Sequence, residues 1–437
     1  MFLPPTAPTP LLGFFNNQYG PYTLGQNDIN TALNYIPSNL SVPVEQFGAK
    51  GNGIVDDTEA FIKGVAYLTN NGGGNLSCIN RYLIDSSSIY LPEGVNLVGF
   101  YQSPISFGNL NDYSTCQSTI ILNPNYSIYG NGSSGISGLL FLMKTFQIGY
   151  EVRTGYNGIA FNMLNNAFDN NGMDSGSFNT GYGNSFVVNS SFMGFNQAIN
   201  SQGMNRVVVD NLTTDCITAV WLENCFDITR INRIHQTSYL AASNISANNV
   251  HNPGPFIHIE GGGSSWQHIT NCFSWSSDIG FSENNSGNNV YTNCGVDGAF
   301  NAFGGVPLTT GISFLRTGSG AGSPSQYIGC QTTSNYGFYA SNNDGNLSYP
   351  SMQIVGGQAW GPSPGQVVYV EANNWVNISG FLIESATGMS AGTVLSGGLV
   401  TISGSNYFDF GDQAGIYSQS YYDNQGNFYL NTNSQGS

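Results

Sequence analysis

Ionisable side chains are scarce in this sequence. Only 8% of its 437 residues are Asp, Glu, Lys or Arg, against about 25% in an ordinary globular chain. Some disordered chains show unusual charge content, but those chains also lack aromatic residues, and this one has 27 Phe, 25 Tyr and 5 Trp. The composition therefore predicts a folded chain whose surface consists mainly of Asn, Ser, Thr, Gln and Tyr.

Cations are scarcer still. The chain has 9 Lys and Arg against 25 Asp and Glu, which gives a formal net charge of −16. Binding to nucleic acid needs clustered cations that displace counterions, and anionic membranes attract polybasic segments. The sequence also has no apolar run long enough to span a bilayer. We therefore predict neither nucleic acid nor membrane as a partner.

Closely spaced cysteine pairs and metal-binding motifs are also missing. The seven Cys include no CxxC pair, and the four His have no metal-ligand spacing. We expect the Cys to be buried apolar side chains and predict neither a metal nor a cofactor. The first residues, MFLPPTAPTPLLGFF, lack a basic region and are interrupted by Pro, so we do not expect a secretory signal. A protein released by lysis, as a virion component is, would need none.

Glycine and short β-branched segments are abundant. The 57 Gly indicate many turns and favour an all-β architecture. Several segments repeat a strand, then Asn, Cys or Gly, then a second strand: FVVNSSF (186–192), VVVDNLTTDC (207–216), HITNCFSWSSD (268–278), VYTNCGVDG (290–298), IVGGQAWG (354–361) and VNISGFLIES (376–385). Aligned on the turn, Cys272 and Cys294 lie 22 residues apart, and Gly357 and Gly380 lie 23 apart. This period is typical of a solenoid coil, and segments 244–266 and 299–325 are predicted to be loops.

One segment carries a family resemblance. FGAKGNGIVDDTEAFIKGVAYL (47–68) resembles the entry motif of the pectate-lyase-like superfamily, with Asn52 where that family usually has Asp, and IYLPEGVNLVGF (89–100) resembles its first coil. The resemblance implies a right-handed parallel β-helix whose N-terminal end is closed by a helix. It makes Asp56 and Asp57 helix-capping residues. Tailspikes in this superfamily are usually homotrimers, so the resemblance also implies a homotrimer and an extracellular or virion location.

The predicted fold is therefore all-β: a single-stranded right-handed parallel β-helix, or solenoid, with an N-terminal capping helix. We predict an N-terminal arm or cap at 1–43, with a short helix near Asp28–Tyr35. The entry motif, capping helix and first coil follow at 44–90. The β-helix body is expected at 91–405, and a C-terminal cap or assembly segment at 406–437.

Carboxylates are the strongest candidates for chemistry. Glycosidases use two of them, separated by about 5–5.5 Å for retention or about 6.5–9.5 Å for inversion. Counting from the turns places five residues on one predicted face: Asp215, Trp275, Asp297, Trp360 and Glu384. Acidic groups beside Trp suit a sugar-binding groove. We expect the catalytic pair among Asp215, Glu260, Asp278 and Asp297, substrate contacts from Trp275, Trp360 and Glu384, and Glu283 near the groove wall. Alternatively, these carboxylates cap turns or keep the surface soluble.

A basic group suggests a second chemistry. Arg230, Arg233 and His235, with His258 and His268 downstream, could bind a uronate carboxylate and remove a proton, as a polysaccharide lyase does. The structural alternative is that Arg230 and Arg233 pair with Asp210 or Asp227 on neighbouring coils.

The expected function is binding and depolymerisation of a polysaccharide outside the cell or on a virion. Hydrolysis by two carboxylates is the first hypothesis, because the chain is acidic and poor in cations. The alternatives are a lyase that acts on a uronate polymer by β-elimination, and a non-catalytic fibre or adhesin that only recognises surface glycan.

Overall fold

The computed structural model describes residues 40–101, 116–145, 156–164, 183–236, 252–275, 277–297, 311–318, 324–334, 336–341, 350–361, 366–371, 374–385, 392–396, 399–403, 406–409, 415–417, 419–422 and 428–431. The predicted helix near Asp28–Tyr35 lies outside these residues. Within the described part of the chain, no helix is long and apolar enough to cross a membrane.

Strands dominate the described residues. One α-helix, α1, spans Thr58–Asn70 and follows a 3-10 helix at Val44–Phe47. The first strands are β1 (Ser41–Pro43), β2 (Asn52–Asp56), β3 (Gly74–Ser77), β4 (Arg81–Ile84), β5 (Ile89–Leu91), β6 (Val95–Val98), β7 (Thr119–Leu122), β8 (Ile128–Gly130), β9 (Gly135–Ser137), β10 (Leu140–Met143), β11 (Asn157–Leu164), β12 (Phe186–Met193), β13 (Phe195–Gln202), β14 (Val208–Asp215), β15 (Thr218–Glu223), β16 (Arg230–Gln236), β17 (Asn252–Glu260) and β18 (His268–Thr270). The later strands are β19 (Phe273–Trp275), β20 (Ser277–Asn284), β21 (Val290–Thr292), β22 (Gly295–Asp297), β23 (Ile312–Thr317), β24 (Ser325–Ile328), β25 (Gln331–Thr332), β26 (Tyr336–Ser341), β27 (Met352–Val355), β28 (Gln358–Gly361), β29 (Gln366–Glu371), β30 (Trp375–Ser379), β31 (Leu382–Ser385), β32 (Gly392–Ser396), β33 (Leu399–Ser403), β34 (Asn406–Asp409), β35 (Gly415–Tyr417), β36 (Gln419–Tyr422) and β37 (Phe428–Asn431).

These strands stack in parallel ladders, each strand pairing with one from the next coil. Ladder 1 runs β1-β3-β6-β9-β12-β14-β16-β18-β21-β24-β27-β30-β33, ladder 2 runs β2-β4-β7-β10-β12-β14-β16-β19-β22-β25-β28-β31-β34, and ladder 3 runs β5-β8-β11-β13-β15-β17-β20-β23-β26-β29-β32. The long strands β12, β14 and β16 belong to both ladder 1 and ladder 2. The prediction of an all-β, right-handed parallel β-helix is confirmed, with the hand that parallel crossovers take.

A left-handed residue marks the turn between ladder 1 and ladder 2 in successive coils. Its φ lies between 51° and 66° at Gly138, Asn189, Asn211, Arg233, Asn271, Asn293, Gly329, Gly356 and Gly380. Asn is among the few residues with a side chain that visit this conformation readily, and Asn211 Nδ2 also donates to Asn189 Oδ1 at 2.8 Å. The predicted alignment of Gly357 with Gly380 is wrong by one residue, because Val355 pairs with Ser379.

The solenoid interior is a continuous apolar core. The residue after each turn points inward, which stacks Cys272, Cys294 and Cys330 on successive coils, and six of the seven Cys are buried. Their expected role as buried small side chains is confirmed for those six. Aromatic rings stack in the same way: Phe314 lies between Phe281 and Phe338, with ring centroids 5.0 and 4.8 Å apart.

Helix α1 packs on the first coil through Phe61 and Leu68, which are fully buried in that core. Asp57 stands at the N-cap position, but its side chain does not cap the helix. Its carboxylate instead accepts hydrogen bonds from the backbone nitrogens of Lys50 and Gly51, at 2.6 and 3.3 Å, and so holds the preceding glycine turn. The closing of the solenoid end by α1 stays a prediction that these contacts support.

Two predicted loops contain strands. Segment 244–266 includes β17, and segment 299–325 includes β23. The Pro and Gly residues at the start of β17 indicated a loop, but they are accommodated by a register shift between Asn252 and Pro255. The ladders also begin before the predicted boundary at 43 and continue past 405, because β1 pairs with β3 and β31 pairs with β34.

Candidate functional site

The strand register of ladder 2 brings the backbone positions of predicted site residues into one column. Trp275 pairs with Asp297, and Trp360 pairs with Glu384. Asp215 stands in the same column two coils before Trp275, because the strands on either side of β16 keep one register. The register therefore agrees with the shared face that was inferred by counting from the turns for Asp215, Trp275 and Asp297.

Spacing along this column limits which carboxylates can act together. Paired strands lie about 4.8 Å apart, so the three coil steps between Asp215 and Asp297 amount to about 14 Å, beyond the reach of a glycosidase pair. Asp215 is also fully buried, and its Oδ1 accepts a hydrogen bond from the Tyr156 hydroxyl at 3.2 Å. These surroundings suit a structural carboxylate better than a catalytic one.

Trp275, Asp278 and Asp297 form a local group at the corner between ladder 2 and ladder 3. Asp278 follows Trp275 by three residues, near the start of β20, and Asp297 lies one coil further along the column. Asp297 Oδ1 accepts a hydrogen bond from Thr333 Oγ1 at 3.0 Å. Trp275, Asp278 and Asp297 are half-buried, and the position of Asp278 and Asp297 at one corner makes them a second candidate pair of carboxylates.

Glu260 lies away from that corner, beside a carboxylate that sequence reasoning missed. It ends β17 on the outer face of ladder 3, and the register of β15 with β17 aligns it with Glu223. Aligned residues on paired strands are about 4.8 Å apart, which is close to the separation of about 5–5.5 Å that retaining glycosidases use. Asp278 is near the opposite end of the neighbouring strand, at least about 15 Å away along the chain direction. The four predicted carboxylates therefore do not form one cluster.

Amide donors hold both glutamates. Gln202 Nε2 donates to Glu223 Oε2 at 2.9 Å, and Asn284 Nδ2 donates to Glu260 Oε1 at 3.2 Å. His258 Nε2 lies 3.4 Å from Glu260 Oε2. The pair is therefore surrounded by groups that can fix the direction of each carboxylate.

An aromatic pair stands next to the glutamates. The rings of Trp221 and His258 are 4.0 Å apart between centroids. His258 is only 8% exposed, and its Nδ1 has no hydrogen-bond partner within the described part of the chain. Burial lowers the pKa of His258, and the Glu260 carboxylate opposes that shift, so the imidazole is neutral at pH 7.

A repeat in the sequence could have revealed Glu223. The segments AVWLEN (219–224) and FIHIEG (256–261) share an aromatic residue, an aliphatic residue and Glu in the same order. Since side chains alternate along a strand, the first and third of these share the outer face. The alignment was hidden because the segment between β16 and β17 is longer than an ordinary turn.

The predicted basic group is mostly structural. Arg233 occupies the left-handed turn and binds Asp210 in bidentate fashion, with Nε 2.9 Å from one oxygen and an Nη 2.5 Å from the other. This contact holds the pKa of Asp210 below its usual value and confirms the structural alternative for Arg233. Asp227 pairs with Arg206, not with Arg230 as that alternative also allowed.

Arg230 and His235 lie on different ladders. Arg230 lies on ladder 1, where it aligns with His268. His235 lies on the outer face of ladder 2 against Phe273, with ring centroids 5.3 Å apart, and partial burial lowers the pKa of His235. The three predicted residues therefore do not converge on one point. Among the described residues, no group of three or more His, Cys, Asp or Glu could hold a metal ion.

Glu283 lies inside the solenoid, and the expectation that it lies near a groove wall is wrong. It is 1% exposed; its Oε2 accepts a hydrogen bond from Ser325 Oγ at 2.8 Å and is 3.9 Å from Arg316 Nε. Burial raises the pKa of Glu283, while Arg316 opposes that shift. Alternation from Phe281, which also points inward, places Glu283 on the core side of β20.

The fold and these surfaces define a right-handed parallel β-helix protein with carboxylates on two of its outer faces. A mutant tailspike of Escherichia coli bacteriophage HK620, solved in complex with a pentasaccharide, is similar over 82% of this chain and 64% of its own, at 10% identity and a TM-score of 0.52. The Dettilon tailspike is similar at 13% identity over 86% of this chain and 71% of its own, with a TM-score of 0.47. An α-1,3-glucanase from Streptomyces thermodiastaticus is similar at 14% identity over 84% and 68%, with a TM-score of 0.45.

Identities this low show a shared fold alone. No protein-family model matches the sequence, and no curated protein matches it.

Proposed function

We propose that this protein binds a polysaccharide on the outer face of ladder 3 and hydrolyses it with Glu223 and Glu260. The observation that carries the proposal is the register of β15 with β17, which aligns these two half-buried carboxylates on neighbouring coils. A separation near 5 Å is the geometry of retaining hydrolysis. The amide groups and the Trp221–His258 pair beside the glutamates are groups that hold sugars by hydrogen bonds and by stacking.

The chemistry then takes two steps. One carboxylic acid protonates the glycosidic oxygen while the other carboxylate attacks the anomeric carbon, so the bond to the leaving sugar breaks and a glycosyl ester forms. Water, deprotonated by the first carboxylate, then attacks the same anomeric carbon, which breaks its bond to the second carboxylate and releases the sugar. Glu260 suits the nucleophile because Asn284 and His258 both offer donors to its anion, whereas Glu223 receives one amide and suits the acid.

Similarity of fold supports a glycan as the ligand class. The HK620 tailspike was solved with a bound pentasaccharide, and this argument is an analogy between folds. On the same analogy we propose an extracellular or virion location and a homotrimer.

The test is hydrolysis of a panel of neutral and uronate polysaccharides, followed by new reducing ends and by the ultraviolet absorbance of unsaturated uronates. We expect reducing ends without absorbance. Glu260→Gln and Glu223→Gln should each lower the rate by about 10²–10⁴-fold, while the exposed Glu93→Gln control should not. Loss of activity in Asp278→Asn and Asp297→Asn instead would move catalysis to the Trp275 corner. Glycan binding without any product would overturn hydrolysis in favour of an adhesin, and absorbance would overturn it in favour of a lyase.

A further inference from the structure

A continuous polar column extends the glutamate pair along the solenoid. Six consecutive coils of ladder 3 each contribute one outward residue to this polar stripe, which consists of Glu223, Glu260, Asn284, Thr317, Ser341 and Glu371. All six are half-buried, so part of each side chain is open to a ligand. Five coil steps of about 4.8 Å make the stripe about 24 Å long, far longer than a single sugar.

Hydrogen bonds between neighbouring coils order these side chains. Asn284 joins Glu260 at 3.2 Å and also accepts from Thr317 Oγ1 at 3.3 Å. At the far end, Ser341 Oγ donates to Glu371 Oε2 at 2.7 Å. A ligand would therefore meet donors and acceptors whose directions are already set, which reduces the entropy lost on binding.

Aromatic pairs flank the stripe near both ends. They lie in the neighbouring outward column, two residues before the stripe residue on the same strand. Trp221 and His258 flank the glutamate pair, and Tyr339 and Tyr369, with ring centroids 4.6 Å apart, flank Glu371. The Tyr339 hydroxyl donates to Glu371 Oε1 at 2.5 Å. Register places four coil steps, about 19 Å, between equivalent members of these pairs.

Charge on this surface selects among glycans. Three stripe residues are carboxylates, and neither the stripe nor the flanking column from Trp221 to Tyr369 contains Lys or Arg. A polyanion would face repulsion from the carboxylates at both ends of the stripe, whereas sugar hydroxyls can pair with carboxylate, amide and hydroxyl groups alike.

We infer that the polar stripe binds an uncharged linear glycan lying parallel to the solenoid axis, with Tyr339, Tyr369 and Glu371 as a binding subsite remote from the cleavage point. The inference rests on the proposed function for the position of the cleaved bond. It adds the charge class of the substrate, its orientation, and a requirement for several sugars on one side of that bond.

Affinity electrophoresis of the full chain tests this, with linear glucan, mannan and galactan as neutral probes and polygalacturonate and alginate as charged ones. We expect retention by one neutral polymer that does not change with salt, and no retention by the charged polymers. Tyr369→Ala should weaken that retention about tenfold, and Ser341→Ala should weaken it less. Gln353→Ala, an outward residue of ladder 1, is the matched control and should leave it unchanged.

Two further experiments distinguish glycan binding by the polar stripe from hydrolysis by Glu223 and Glu260. Thr317→Lys adds a cation in the middle of the stripe, two coil steps from Glu260, and we expect it to create salt-sensitive retention by polygalacturonate. Tyr369→Ala should retain wild-type affinity for a disaccharide or trisaccharide of the neutral polymer, because these are too short to span four coils.

Unchanged polymer binding in Tyr369→Ala and Ser341→Ala would overturn the stripe while leaving hydrolysis by Glu223 and Glu260 in place. Stronger retention of the wild type by either charged polymer would overturn the assignment of an uncharged glycan. If the wild-type protein releases no product but the stripe variants still bind the glycan more weakly, the stripe is supported and hydrolysis is refuted.

Discussion

A buried charge pair inside the solenoid offers a stringent test of the structure. Arg316 is the largest fully buried side chain among the described residues. Its guanidinium donates to the backbone oxygens of Ser351 and Ser286 and lies beside the Glu283 carboxylate. Arg316→Met keeps most of the length and removes the charge, which leaves Glu283 in the core without its cation.

The expected cost follows from that loss. Removing one partner of a buried ion pair destabilises a protein by about 3–5 kcal/mol. For a chain of this length, with an unfolding entropy of about 2.1 cal/mol/K per residue, this corresponds to a fall in Tm of about 3–5 °C. Glu283→Gln combined with Arg316→Met removes both charges, so the double variant should melt above the Arg316→Met single variant.

The fall in Tm caused by Arg316→Met should also depend on pH. Burial raises the pKa of Glu283 from its usual 4.5, so the stability associated with its protonation is complete below 4.5 and is lost as pH rises through the folded-state pKa. Removing Arg316 raises that pKa further, because Arg316 favours the anion. Thermal melting followed by circular dichroism at pH 7 and at pH 4 should show the larger fall in Tm at pH 7. An equal fall at both pH values, or a double variant less stable than the single, would refute a charge pair in the core.

Three further outcomes are expected. Phe314→Ala removes a ring packed between two others, with centroids 5.0 and 4.8 Å away, and should lower the free energy of unfolding in chemical denaturation by about 3–5 kcal/mol. Tyr90→Ala is the control, because Tyr90 is 65% exposed. An equal loss in the control would contradict the packing argument. Asn271→Ala should cost about 1–2 kcal/mol because φ is 53° there, whereas Asn271→Gly should melt near the wild type, and the reverse order would exclude a left-handed turn. Arg233 lowers the pKa of Asp210, so the advantage of wild type over Asp210→Asn should be present above pH 3.8 and vanish as pH falls through the lowered pKa; melting curves that differ equally at pH 7 and pH 2 would disprove the ion pair.

The fold was predictable because its determinants are local. Successive coils from Gly138 to Gly380 have a left-handed residue between ladder 1 and ladder 2, and Asn or Gly at most of these positions is visible in the sequence, as at Asn211 and Asn293. Strand alternation on either side of the turn then sets which residues point outward. Counting residues from the turn also predicted that Trp275 and Asp297 share a face, because both lie the same number of residues after their turns.

Counting residues from the turns gave wrong positions where local signals were ambiguous or interrupted. Two glycines are adjacent at 356 and 357, and Gly357 was aligned with Gly380 although Gly356 occupies that turn position. Glu283 was expected near a groove wall, but the register of β17 with β20 aligns it with the core residue Ile259, just as it aligns Phe281 with Ile257. The burial of Asp215 under Tyr156 depends on a contact between residues 59 positions apart.

The sequence by itself determined the β-helix, its turns and the outward face of individual strands, because these depend on neighbours within a few residues. Only the tertiary structure decided which coils stand next to each other across insertions of irregular length. That pairing is made by hydrogen bonds between distant backbone groups, and it is what brings Glu223 to Glu260 and aligns the polar stripe.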